Sequence, residues 1–350
     1  MYNFSKRTSL DYPLTVLIGL IVVLSLIALT SVAGSLFPTY YLYIGFGILL
    51  YLFFSNFEFA IIKAFSRHLY FASIFFLILP IIIGQVTRDT IRWIPIGSLS
   101  IQPAEIVRPF LILFFADFLV NNEFSGSFIF KAFLYFLLPV ALIVIQPSLG
   151  VAIITAVGIF GTLISSGINK RHFIIGLAIF ILSLPVSWFV MKDYQRQRIV
   201  GFINPEGDPL GAGYNSIQSV ISIGSGGVFG KGLGKGVQTQ LEFLPEKQTD
   251  FIFASISEEL GFLGAMVLIL LTLAILYRLV TFMENAKGPV ERAYLSGFLM
   301  TLLVQITIHI GMNLGLLPIT GLPYPLVSAG GSSFIATMAG LGIAASTRRK

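Results

Sequence analysis

Windows of about 20 largely uncharged residues recur along the whole chain, each long enough to cross the roughly 30 Å hydrocarbon layer of a bilayer. Few folds are open to such a chain, because in lipid every backbone N–H and C=O must be satisfied internally. Helices and closed barrels both achieve this. The runs here are continuously apolar and lack the period-two alternation of lipid-facing strands, which leaves helices. The expected fold class is all-α, polytopic and integral to a membrane. About ten transmembrane helices are expected, with one large extracytoplasmic loop between spans seven and eight. Apolar residues make up 56% of the chain and charged residues 11%, against roughly half and a quarter in a soluble domain.

The spans read at 12–34, 38–56, 69–86, 103–121, 128–146, 148–166, 172–191, 251–277, 292–312 and 328–346, in a single membrane domain covering residues 1–350. The first run follows Lys6 and Arg7, is too long for a signal-peptide core and lacks a small-residue cleavage site, so it is expected to be retained. With the amino terminus inside, that face collects Lys63, Arg67, Lys131, Lys170, Arg171, Arg278, Lys287, Arg292, Arg348, Arg349 and Lys350. Basic residues in short loops mark the cytoplasmic face, which puts both termini inside and loop 192–250 outside. Most of the charges behind the net +6 therefore flank spans, and no nucleic-acid partner is expected. The chain has no cysteine, which excludes disulfides, thiolate nucleophiles and Cys-ligated metal centres.

Loop 192–250 has no run of span length, yet its composition is not that of a disordered segment. Ile217, Val220 and Ile221 have helical spacing, and glycines at 224, 226, 227, 230, 232, 234 and 236 make a bending backbone. A structureless loop of this length is unusual unless functional; a hairpin shielding the span tops is the other reading. At its end, LPEKQTDFIFASISEELG turns from mixed charge to apolar one residue after Asp250, placing a carboxylate where water meets lipid. If Asp250 is already helical, Glu258 lies roughly 80° and Glu259 roughly 180° around the axis from it. That geometry makes Glu258 its cavity partner and turns Glu259 towards a neighbouring helix.

Charges at membrane depth face a cavity or a partner. Glu105 opens the fourth span with Arg108 three residues on, a spacing that permits an ion pair. Asp117, in the same span, is read as structural. His309 is the one histidine within a span and is assigned a packed or hydrogen-bonded role. In GMNLGLLPITGLPYPLVSAGGSSF, residues 311–334, Pro318, Pro323 and Pro325 forbid a continuous helix, while Ser328, Gly330, Gly331, Ser332 and Ser333 open the last span with small side chains. Broken backbone at membrane depth is tolerated against protein or a water-filled cavity, so this segment is expected to line the cavity beneath Asp250. Close helix packing is the alternative.

The run GSGGVFGKGLGKG lacks the terminal G-K-[ST] of a nucleotide-binding loop, and no histidine falls on the outer face to complete a Ser/His/Asp set. The outer face does hold the carboxylates Glu242, Glu246 and Asp250, the cations Arg88, Arg92, Arg196, Arg198, Lys231, Lys235 and Lys247, and Trp93. A carboxylate among cations at a lipid-accessible groove suits proton abstraction from a hydroxyl while the cations hold a diphosphate leaving group. The same inventory suits moving a charged headgroup across the membrane unreacted.

Three runs carry a resemblance: RWIPIGSLSIQPAEI, GYNSIQSVISIGSGGVFGKGLGKGVQTQLEFLPEKQTDFIFASISEELG and residues 311–334. In that order and over nearly the whole chain, they resemble the shape, elongation, division and sporulation (SEDS) family, its RodA-like rod-shape branch more than its division branch. The resemblance implies a peptidoglycan glycosyltransferase that polymerises lipid II on the outer face of the bacterial cytoplasmic membrane during cell elongation and releases undecaprenyl diphosphate. The implied partners are a class B penicillin-binding protein that crosslinks the strands, and other elongation-complex proteins. The family's essential loop aspartate maps onto Asp250, its SEELG acid onto Glu258, its first-loop tryptophan onto Trp93, and its glutamate–cation pair onto Glu105 and Arg108. Two departures stand out: the family more often has lysine at Arg108, and relatives commonly carry aspartate at Ser148. Asp250 is then the expected base, with Arg92, Arg196, Arg198, Lys231 and Lys235 available to the diphosphate, and Ser328, Gly330, Gly331 and Ser332 as support. No organic cofactor is implied; a divalent cation, Mg or Mn, held with the help of Asp250 is the one cofactor candidate. A lipid II flippase and a non-catalytic scaffold for a transpeptidase are the rival readings.

Overall fold

A computed structural model of the chain describes residues 10–83, 85–87, 90–123, 125–167, 191–207 and 213–348, with residue 211 and isolated positions between 174 and 189. The chain begins with α1 (Tyr12–Ala33), α2 (Thr39–Asn56), a short α3 (Phe59–Ala64) and α4 (Ser66–Ile83). A three-stranded antiparallel meander follows: β1 (Gln85–Thr87), β2 (Thr90–Ile96) and β3 (Leu99–Ile101). Next come α5 (Pro103–Ile106), α6 (Arg108–Val120), α7 (Gly126–Ile145) and α8 (Leu149–Ser165). The long loop carries α9 (Asp193–Ile203), α10 (Tyr214–Ser225) and α11 (Val237–Gln240), and the chain continues through α12 (Ile252–Glu284), α13 (Pro289–Asn313) and α14 (Gly331–Ser346).

Every expected span except the seventh coincides with a helix; the seventh, 172–191, falls mostly outside the described residues, as do Lys6, Arg7, Arg88, Lys170, Arg171, His172, Arg349 and Lys350. Among the described residues six helices have the length and hydropathy to cross a bilayer, and α8 and α14 are shorter apolar helices. The fold is that of a polytopic helical membrane protein. The meander fills the loop between the third and fourth spans, and two of its strands have three residues each, too short to leave a periodic signature.

Exposed apolar side chains mark the outer surface of the bundle. On α1 these are Val16, Leu20, Val23 and Ile27, and on α12 Phe262, Leu263, Val267, Leu270, Leu273 and Tyr277. By contrast, every residue of α14 is buried. This helix packs closely against α2 because its glycines let backbones approach: a Cβ on Gly342 would lie 2.8 Å from the Tyr51 carbonyl oxygen. On the same principle α8 meets α13, where a Cβ on Gly161 would fall 2.9 Å from Gly297 Cα.

Helix α12 is broken at Gly261, whose φ of 69° and ψ of −167° interrupt its ladder. The turn after α10 repairs the break. Phe262 and Leu263 N–H, without their helical acceptors, donate to the carbonyls of Gly227 and Val228 at 2.9 and 3.2 Å. The carbonyls of Glu258 and Glu259 accept from Lys231 and Gly232 N–H, both at 3.0 Å. Side-chain bonds complete the splice. Glu258, fully buried, accepts from Gln238 N–H, Thr239 N–H and the Ser222 hydroxyl at 2.9, 3.0 and 3.2 Å. Glu259 accepts from Ser31 Oγ at 2.6 Å, Gln240 Nε2 at 2.9 Å and Gly234 N–H at 3.2 Å.

At the opposite end of the bundle, Asp11 caps α1 by accepting from Leu14 N–H at 2.9 Å, and Arg278 of α12 grips the same carboxylate through Nε at 2.9 Å and Nη2 at 2.6 Å. Arg348, just past α14, donates to it as well. Burial opposes ionisation of Asp11, but the bonds from Arg278 and Leu14 and the charge of Arg348 hold its carboxyl below the usual aspartate range. The starts of α1 and the ends of α12 and α14 thus share one end of the bundle.

Candidate active site

Asp250 ends a tight turn in which Thr249, Asp250 and Phe251 N–H all donate to the Glu246 carbonyl, at 3.0, 3.1 and 3.2 Å. The next three carbonyls upstream of α12 are each claimed by another element. Gln248 C=O accepts from Ala329 N–H at 2.9 Å, Thr249 C=O from Ser328 Oγ at 2.7 Å, and Asp250 C=O from Asn313 Nδ2 at 3.0 Å. Asn313, at the end of α13, also accepts from Ala254 N–H through Oδ1, and its own carbonyl accepts from Ser219 of α10. The backbone carrying Asp250 is therefore clamped from two sides while its side chain is only half-buried.

That side chain faces Gly321, in the broken segment between α13 and α14. A Cβ there would lie 3.4 Å from Arg198 Nη1 and 3.6 Å from Asp250 Oδ2, so a guanidinium from α9 and the carboxylate converge over one glycine. Arg198 Nη1 is also held by the Ile319 carbonyl at 3.4 Å. Below, Glu105 of α5 is buried within electrostatic range of Arg108, Arg92 and Asp250. Three links fix the β3–α5 corner in place. Tyr43 Oη bonds the backbone of Ser100, Gln102 N–H donates to Ser332 Oγ at 2.8 Å, and Gln102 Nε2 donates to Ser148 Oγ at 3.2 Å.

The structure thus brings Asp250, Arg198, Arg92, Glu105 and Arg108 into one neighbourhood, with Trp93 half-buried beside Arg92 on β2. It redirects other residues. Arg108 does not pair directly with Glu105 among the described residues; its Nη1 donates to Gln305 Oε1 at 2.8 Å, and Gln305 Nε2 donates on to the Pro323 carbonyl at 2.8 Å. Glu258 is no cavity partner of Asp250. Asp250 lies in a turn ahead of α12, so the helical angle between them does not apply, and the Glu258 carboxylate is consumed by loop donors. Glu259 clamps that loop too, rather than merely facing a neighbour. Ser328 and Ser332 act as ties, and Gly331 makes room for the Tyr43 ring, so the packing alternative describes them better than cavity lining. Gly330 is held against Pro323. Arg196 stays with the Trp188 carbonyl at 3.2 Å and with Asp193 at 3.6 Å. Lys231 and Lys235 are exposed on the turn that packs over Ser31 of α1 and the break in α12. His309 is hydrogen-bonded as expected, through Nδ1 to the Leu322 carbonyl at 2.7 Å. Sequence reasoning missed Asn313, Gln305 and Gly321. Their one signal was an amide or a glycine set inside an otherwise apolar run.

The chemistry offered is a half-buried carboxylate as proton acceptor, the Arg198 guanidinium converging with it over Gly321 for an anionic group, and a backbone tied in place beneath the carboxylate. No cluster of three His, Asp or Glu ligands forms among the described residues.

Comparison with known proteins follows the same lines. A family model described as "Cell cycle protein" and covering FtsW, RodA and SpoVE matches residues 9–350. Peptidoglycan glycosyltransferase MrdB of Escherichia coli (strain K12) is 39% identical over 296 residues, which is 82% of this chain and 79% of MrdB. A chain from a peptidoglycan synthase complex, solved to show the structural coordination of polymerization and crosslinking, superposes with a TM-score of 0.81 at 31% identity over 96% of each chain. The rod shape determining protein RodA of Thermus thermophilus superposes with a TM-score of 0.74 at 29% identity over 97% of each.

Proposed function

The chain belongs to the FtsW, RodA and SpoVE family of cell cycle proteins, and on that premise we propose that it is a peptidoglycan glycosyltransferase that polymerises lipid II during cell elongation. The observation that carries the assignment is the clamped backbone at 248–250, which holds the Asp250 carboxylate against Arg198 over Gly321. Asp250 takes the proton of the acceptor sugar's 4-hydroxyl as that oxygen attacks the anomeric carbon of the lipid-linked donor. The new C–O bond forms as the bond to the diphosphate breaks, with inversion, and undecaprenyl diphosphate leaves with the electron pair. Arg198 and Arg92 supply positive charge to it, and a guanidinium fork matches phosphate oxygens in pairs. Among the described residues no set of three carboxylate or histidine ligands forms, and Asp250 and Glu105 sit among guanidiniums, which is too few ligands for a metal site built by these residues alone. A divalent cation working here would arrive with the diphosphate of the substrate.

On this reading both termini lie in the cytoplasm of a bacterium and Asp250 on the outer face, which the basic short loops and the shared end formed by Asp11, Arg278 and Arg348 support. The likeness to a chain of a synthase complex supports a class B penicillin-binding protein as partner. The test is polymerisation of lipid II by purified protein, with and without that partner and with and without chelator, beside Asp250→Asn and Asp250→Ala. Both variants are expected to lose roughly 10²–10⁴-fold in rate. Full activity in both defeats the assignment. Lipid II movement across liposomes without polymer identifies a flippase, and intact cell growth of Asp250→Ala identifies a scaffold.

A further inference from the structure

The turn that splices the α12 break presents an apolar surface that the catalytic reading leaves unused. Phe229 is 81% exposed, with Val228 and Leu233 exposed beside it. Two helices measure how far this turn stands from the Asp11 end of the bundle. Gly234 N–H donates to Ser31 Oγ at 2.7 Å, and the stretch of α1 from Tyr12 to Ser31 rises about 30 Å, equal to a hydrocarbon layer of about 30 Å. On α12 the lipid-facing row runs from Tyr277 near Arg278 to Phe262, a rise of only about 24 Å. What it lacks is supplied by the turn, whose Gly227 and Val228 carbonyls are bonded to Phe262 and Leu263 N–H. Charge agrees with this placement. Residues 226–241 contain Lys231 and Lys235 and no acid. The two glutamates beneath, Glu258 and Glu259, have their carboxylates occupied by backbone, hydroxyl and amide donors rather than by these lysines.

We infer that this turn is a membrane-interface anchor, with Val228, Phe229 and Leu233 at the acyl-chain boundary and Lys231 and Lys235 on the phosphates of anionic phospholipids. Apolar side chains flanked by lysines bind the bilayer surface in this way, by buried area and by attraction to anionic headgroups. The anchor keeps the outer end of the broken helix at a set height, and with it the loop that leads into Asp250.

Because the chain has no cysteine, single cysteines label uniquely. Phe229→Cys, Leu233→Cys, Phe262→Cys and Glu242→Cys each receive a nitroxide, and the protein is placed in nanodiscs with and without phosphatidylglycerol. The labels at 229 and 233 are expected to saturate with oxygen like the one at 262, about 5–10 Å inside the headgroup boundary. The Glu242→Cys label is expected to respond to a water-soluble nickel chelate. Adding phosphatidylglycerol is expected to deepen the 229 label, and Lys231→Gln with Lys235→Gln to abolish that deepening. Nickel accessibility at 229 and 233 equal to that at 242 overturns the proposal. So does shielding that appears only when the transpeptidase partner is added, or a phospholipid response replaced by one to lipid II alone.

Discussion

At the scale of single residues, the candidate base owes its position to groups that carry no charge. Asn313 bonds the Asp250 carbonyl, the Ala254 N–H and the His309 carbonyl from a fully buried site. Asn313→Ala strands those groups, so it is expected to lower stability by roughly 1–3 kcal/mol. If its role is to position Asp250, kcat falls about 10²-fold with KM held, since a misplacement near 1 Å costs that much; polymerisation kinetics on the folded fraction checks it. The arginine below behaves differently from what its spacing suggests. Since Arg108 is held by Gln305, exchanging charges in Glu105→Arg with Arg108→Glu is expected to recover no activity over either single reversal. Recovery in that double variant would show direct pairing. The place of Asp250 just ahead of α12 was legible in the sequence, because the chain turns apolar one residue after it. Asn313 was not, because an amide inside a span looks the same whether it packs or positions.

At the scale of elements, the break in α12 shows where sequence reading ended. The glycines of the long loop were visible and their bending role was expected. Their purpose depends on meeting a helix end more than 20 residues away in sequence, and nothing local encodes that. Gly261→Ala combines a positive φ with a Cβ directed at Gly230 N; it is expected to cost about 3 kcal/mol or more, a strained φ alone costing roughly 1–3, and to lower the unfolding midpoint in detergent. The Asp11 latch carries a pH signature. Its carboxyl titrates below the ordinary value of 3.8, so the unfolded chain binds more protons as pH drops through that range. Stability supplied by the latch is complete above it and is lost on acidification through the lower, folded-state pKa. Unfolding of wild type and Asp11→Asn across pH 2–6 checks this: the acid-side slope is expected to shrink in the variant.

At the scale of the molecule, hydropathy was enough to lay out the described helices of the bundle, because lipid leaves helical spans few alternatives. It did not reveal which helix is central. α14 is apolar like the rest, and among the described residues its glycines, seated against α2, mark it as a helix buried along its whole length. That position has a consequence for biogenesis. This helix is made after α1 to α13, which therefore enter the bilayer around a space that is still unfilled. Ser328 and Ser332, which tie down the Asp250 turn and the β3–α5 corner, lie at its leading edge. Until the segment leading into this helix is made and seated, neither tie can form, so the Asp250 turn and the β3–α5 corner wait on it to be joined.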